Sequence, residues 1–202
     1  MRPTDLLARH TETWHAATHH RFLDGSLAPE TFATWLVQDY HFVFSEISCL
    51  AHLLARAPRY AQHILVRALV ALEAEAGWFE AHARQRNLSL HVPMASTTAA
   101  YRDFLLSLDQ EPFPVALSAI WAVERAYLEA WMGVAPGHER YRAYVVHWAN
   151  AEFKQFVSDL EQVAIRALAE SNSAEAAEQA FLQVAHLEHD FWEMAWSGGG
   201  GR

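Results

Sequence analysis

The sequence predicts an all-α protein, a single compact bundle of about seven helices. Three observations carry that expectation. Apolar residues recur with a helical period in almost every segment. No stretch alternates apolar and polar residues as a half-buried strand does. Pro and Gly fall between the periodic segments and not inside them.

Taken in order, the first helix is expected from about Thr4 to Phe22, ending at an Asp24-Gly25 turn. Pro29 stands where a first helical residue belongs, and a long helix follows to about Arg56. Pro58 separates it from a third helix over about 59–86. The stretch NLSLHVPMA (87–95) is a loop, followed by a short helix near 97–109. Pro112 and Pro114 introduce a fifth helix over about 114–132, and GVAPGHE (133–139) is the next loop. A sixth helix is expected from Arg140 to Glu170. The polar run SNSAE (171–175) precedes a seventh that ends near Trp196. No repeat or linker divides the chain, so residues 1–196 read as one domain and 197–202 as a flexible Gly-rich tail.

Composition narrows the function. At 202 residues, one domain is the better expectation, large enough to bury a core with an internal pocket. Apolar residues make up 52% of the chain, with 8 Trp and 11 Phe, which excludes disorder. No apolar run reaches the roughly 18 residues of a membrane span, and the polar start MRPTDLLARHTETW does not read as a signal peptide. The single Cys allows no internal disulfide and fits a reducing, cytoplasmic setting. A net charge of −9 argues against a nucleic-acid partner.

Three carboxylates sit on faces that should be apolar. Asp39 shares a face with Trp35, Phe42 and Val43. Glu124 lies between Ile120 and Trp121 on one side and Tyr127 and Leu128 on the other. Glu188 follows Val184 and precedes Phe191 and Trp192. A buried carboxylate costs several kcal/mol unless it is paired or hydrogen-bonded. Any one of them could bond a backbone group or an Arg such as Arg125. Three in one bundle favour a shared pocket, because pockets are apolar with a few convergent polar groups. The aromatic residues at helical spacing read first as core. Together with the acids they also suit a site that stacks a flat heterocycle and bonds its nitrogens.

Five segments in order then resemble the TenA (thiaminase II) family. GSLAPETF and WLVQDYHF are similar to the start of its second helix, AYRDFLLSL to its AYxxFL segment, YRAYVVHWANAEF to its next Tyr-rich helix, and HLEHDFWEMAW to its FWxMAY ending. The resemblance runs from about His20 to Trp196 and implies a TenA-like, heme-oxygenase-like helical fold and a commonly tetrameric assembly. It also implies site residues. The pyrimidine-binding acids fall on Asp39 and Glu188, a pocket Tyr on Tyr101, and a stacking aromatic on Phe42. A second pocket Tyr falls on Trp148, which lacks the hydroxyl. Where the common branch carries a nucleophilic Cys, this chain has Trp121 and Ala122, and Trp121 is expected among the substrate-binding residues. AIWAVERAYLEAW instead resembles the branch in which a Glu takes over, here Glu124. That branch is associated with deamination and deformylation of aminomethyl- and formylaminomethyl-pyrimidines in thiamin salvage, with no cofactor. Cys49 lies ten residues beyond Asp39, about 15 Å along a helix axis, and cannot replace the missing thiol.

Two other readings stay open. Thirteen His invite a metal, and Glu75 with His82, or His186 with Asp190, share helix faces; with Glu124 they could form a dimetal oxidase site. Against it, the expected ligand-rich helix offers only His147, with no Asp four residues on. His15 and His19, with His20 beside them, read as a solvated face more readily than as a zinc site. A pocket that binds the pyrimidine without turnover is the third reading. The expectation is therefore a cofactor- and metal-free aminopyrimidine hydrolase, cytoplasmic and homo-oligomeric as a dimer or tetramer.

Overall fold

A computed structural model describes residues 1–24 and 28–198. The described residues are mostly helical, with no strand among them. Gly25, in the expected first turn, the Gly25–Leu27 part of GSLAPETF, and residues 199–202 of the expected tail lie outside the described residues. The helices are α1 (Pro3–Arg9), α2 (Thr11–Thr18), α3 (Pro29–Ala55), α4 (Arg59–Gln85), α5 (Ser96–Ser107), α6 (Phe113–Gly133), α7 (Arg142–Trp148), α8 (Ala151–Ala169) and α9 (Ala174–Trp196). Short 3-10 turns lie at Arg21–Asp24, Leu108–Gln110 and Glu139–Tyr141. The chain forms two compact units, Met1–Leu27 with Pro112–Glu193, and Ala28–Glu111 with Met194–Arg202.

Two expected helices are broken. The segment expected as one helix over Thr4–Phe22 is α1, α2 and a 3-10 turn. His10 leaves the helical region at φ −118°, ψ 38°, and the Thr11 hydroxyl folds back onto Leu7 O (3.2 Å) and Ala8 O (3.1 Å). Such back-bonding competes with the helix. At the break, His10 and Arg9 both reach Glu178 of α9, at 2.7 and 2.6 Å. The expected sixth helix breaks after Trp148. Asn150 takes an extended conformation, accepts the Phe153 N–H at 2.8 Å and so caps α8, while its amide donates to His147 O.

In the first unit, α6 packs against α2, α7 and α8, and α1 packs against α2 and α8. Every residue from Val115 to Glu124 is buried. A helix apolar on all sides is one enclosed by its neighbours, and α6 is the centre of this unit. Gly137, ahead of α7, has φ 72°, and a Cβ there would meet Val145 Cγ2 at 2.6 Å. Only glycine fits that turn.

In the second unit, α3 and α4 pack as a helical hairpin, and α5 packs on α3. Pro29 starts α3 and Pro58 caps α4, as the sequence predicts. On α4 the buried residues Ala61, Leu65, Ala68, Leu72, Ala76, Phe79 and Ala83 form one stripe. It ends in a Schellman motif: Asn87 adopts φ 53°, its N–H bonds Arg84 O, and the Leu88 N–H bonds Ala83 O at 2.9 Å. The matching stripe on α3 is Phe32, Leu36, Asp39, Val43, Glu46, Leu50 and Leu53. Each large apolar side chain in it contributes about 1.5–3 kcal/mol by leaving water. Two carboxylates interrupt it.

Candidate active site

In the first unit the sequence assigned Glu124, Trp121, Trp148 and Glu188. Glu124 and Glu188 are buried, at 8% and 4% exposure. Arg125, the cation closest to Glu124 in sequence, gives its Nε–H to Glu129 Oε1, whose other oxygen accepts from Trp14 Nε1 at 2.7 Å. That guanidinium serves an α2–α6 clamp.

The next turn of each helix supplies aromatic rings. Tyr127, three residues past Glu124, stacks on Trp192, four past Glu188, with centroids 6.2 Å apart and planes 16° apart. Trp148 of α7 stacks on Trp131 at 4.9 Å and meets Tyr127 edge-on at 5.3 Å. Trp148, standing where the resemblance puts a Tyr, therefore closes an aromatic cluster through ring contacts that need no hydroxyl. Trp121 is fully buried and stacks loosely on Phe181, which stacks on Trp14. Its ring thus takes part in a stack that joins α6, α9 and α2. The indole N–H groups of Trp121 and Trp192 are buried without a hydrogen-bond partner among the described residues. A buried donor left so costs about 1–3 kcal/mol.

In the second unit the assigned residues are Asp39, Phe42 and Tyr101. Asp39 is 3% exposed and Tyr101 is 1% exposed. The Phe42 and Tyr101 rings meet edge-on, with centroids 4.7 Å apart and planes 60° apart. The structure thus joins two of the three through α3 and α5, with Asp39 one turn before Phe42 on α3. Glu46 is a fourth buried acid, at 3% exposure, that the sequence reading passed over. Its signal was its register: seven residues past Asp39 and four past Phe42, it falls on the same face.

Cys49 is buried, and loss of water pushes its thiol up to about 12 from the ordinary 9.0, with the Glu46 charge adding to the shift. Such a thiol is not ionised near neutral pH. Among the described residues no group of three or more His, Cys, Asp or Glu side chains is gathered as a metal would need. His15 and His19 are exposed and stacked on each other at 4.1 Å, as a solvated face allows. His20 departs from that face: its side chain is 7% exposed and its Nε2 bonds Glu193 at 2.8 Å.

Known proteins are similar to this chain along nearly its whole length. An aminopyrimidine aminohydrolase of Halalkalibacterium halodurans is 25% identical over 91% of this chain and 90% of its own length. A Glycine max protein named "Probable bifunctional TENA-E protein" is 27% identical over 94% of this chain and 90% of its own. The X-ray structure of a TenA homologue from Pyrococcus furiosus superposes with a TM-score of 0.90 at 29% identity, over 96% of this chain and all of that one. Among the described residues no helix is long and apolar enough to cross a membrane. The profile of the TENA/THI-4/PQQC family matches from residue 7 to residue 198, and the chain belongs to that family.

Proposed function

We propose that this protein hydrolyses a C–N bond of an aminopyrimidine related to the pyrimidine half of thiamin. The reaction is removal of ammonia from an aminomethyl-pyrimidine, of formate from its formylamino form, or both. The observation that carries the reading is Glu124, a carboxylate in the most enclosed stretch of α6, on a chain whose one thiol is buried and protonated. The similarity to an aminopyrimidine aminohydrolase supports the same class of reaction.

Glu124 acts as base and then as acid. It takes a proton from the attacking water as the C–O bond forms. It returns that proton to the departing nitrogen as the C–N bond breaks. No covalent intermediate is needed, and a carboxylate is a poorer nucleophile than a thiolate, so cleavage of thiamin itself is slow or absent. Asp39 and Glu188 accept hydrogen bonds from the pyrimidine amino group and a protonated ring nitrogen. Phe42, Tyr101, Trp148 and Trp121 supply flat apolar surface. In this reading residues 1–196 work as one cytoplasmic domain, in a homo-oligomer.

The test is Glu124→Gln, which keeps shape and most hydrogen bonds but removes the titrating proton. Turnover of the two pyrimidines, followed by mass spectrometry, should fall by a factor of about 100 or more, with affinity retained. A Gln variant that keeps its rate removes Glu124 from the chemistry. Asp39→Ala should abolish pyrimidine binding with little change in melting temperature.

A further inference from the structure

The α3 motif that supplies Asp39 and Phe42 also contains a residue that the proposed reaction leaves without a role. Gln38 is 5% exposed, and both polar atoms of its amide are engaged with the start of α5 and the loop before it. Its Oε1 accepts from the Ala95 N–H at 2.9 Å and from the Thr98 hydroxyl at 2.7 Å. Its Nε2 donates to Pro93 O at 3.2 Å. The orientation is fixed: a backbone N–H can only donate and a carbonyl can only accept, so turning the amide over would oppose both bonds.

The place of these contacts matters. Ala95 is the N-cap of α5 and has no side chain able to cap it, and Thr98 is the third residue of that helix. In a capping box, a Gln or Glu at that third position reaches back to the N-cap N–H. Here Gln38 performs that task from another helix, and Thr98 bonds Gln38. The start of α5 is therefore held at one height along α3. The next turn of each helix continues the pairing. Phe42 is four residues past Gln38, Tyr101 is three past Thr98, and these two rings are the pair in contact at 4.7 Å.

We propose that Gln38 is a positioning residue for pyrimidine recognition: through Thr98 and Ala95 it sets the register of α5 on α3, and so the placement of Tyr101 against Phe42 beside Asp39. The inference rests on the pyrimidine-binding role given above to those three residues. Gln38 does not touch the pyrimidine; it acts through Tyr101. A slip of α5 by a fraction of a turn leaves both helices intact and the chain folded, but moves the Tyr101 ring away from the stacking position.

The experiment uses the full chain and the aminomethyl-pyrimidine, with folded protein quantified by circular dichroism. Gln38→Met keeps the volume and removes all three bonds. Thr98→Val keeps the shape and removes one, and Thr98→Ser restores the hydroxyl. Gln38→Met and Thr98→Val should each raise KM about tenfold with kcat nearly unchanged, about a factor that one to two buried hydrogen bonds supply. Thr98→Ser should return KM to the wild-type value. Because Gln38→Met could unfold the chain, the Thr98 pair carries the test by itself. An unchanged KM in Thr98→Val, or a fall in kcat alone in proportion to lost folded protein, overturns the inference. If Asp39→Ala abolishes binding while the Gln38 and Thr98 variants keep the wild-type KM, this inference fails and the functional reading stands. Wild-type protein that neither binds nor converts the pyrimidine overturns both.

Discussion

Cys49, the one thiol of this chain, is buried on α3. Loss of water penalises the charged form of any acid. It carries the Cys49 thiol to about 12, out of reach of neutral pH. Cys49→Ser should leave turnover nearly unchanged, and an aromatic disulfide reagent should react with Cys49 only after the protein is unfolded. Rapid labelling of the native protein, or a lost rate in the Ser variant, would contradict this. Asp39, Glu124 and Glu188 were legible because each breaks an apolar helical period, and all three are buried. Glu46 was not, because Ser45 and Ser48 beside it make that turn look like a solvent face. Gln38 was not, because its partners lie 55 to 60 residues away; a periodic pattern gives a face but no partner.

At the scale of elements, the ends of helices were read better than their interruptions. Pro29 and Pro58 mark starts by fixed chemistry, and Asn87 is a residue type that tolerates the left-handed conformation ending α4. The breaks at His10 and Asn150 were missed because the apolar period runs through both. What decides them is polar bonding that the period does not register: Thr11 onto the preceding turn, and Asn150 onto the Phe153 N–H. The break after Trp148 leaves α7 a short helix carrying that ring to Tyr127 and Trp131. Asn150→Ala removes the α8 cap and should cost about 1 kcal/mol, read as a lower urea midpoint with an unchanged slope. Asn150→Asp or Asn150→Ser should recover most of it. A midpoint unaltered by Ala would show that α8 starts without its cap.

For the molecule as a whole, the shifted groups predict stability that declines on the acid side in two stages. Burial holds His20 below its ordinary 6.5, although its hydrogen bond and attraction to Glu193 pull the other way, so desolvation is the larger effect. The geometry agrees: Nδ1 accepts the Phe22 N–H at 3.1 Å, and protonation would take that acceptor away. Phe22 packs on Trp192 at 5.3 Å, which ties this bond to the aromatic cluster. Burial, followed by the Arg86 charge, also lowers His82. A His whose folded pKa lies below its unfolded value binds its proton more readily in the unfolded chain. Its contribution is complete above about 6.5 and is lost as pH falls through that value toward the folded pKa. Glu178 and Glu193 are lowered from 4.5, first by hydrogen bonds from Arg9 and His10, and from His20, respectively. Their contribution is present above 4.5 and is lost as pH falls below it. The melting temperature should therefore fall between pH 7 and 5.5, and again below pH 4.5. Salt separates the stages. Exposed ion pairs are screened at high ionic strength whereas burial is not, so 1 M NaCl should shrink the second decline and spare the first. His20→Gln keeps a donor toward Glu193 without a titrating ring and should make the first stage shallower, leaving the part that His82 supplies. A melting temperature constant from pH 7 to 5.5, or a first decline that disappears in salt, would show that the two histidines are not held neutral by burial.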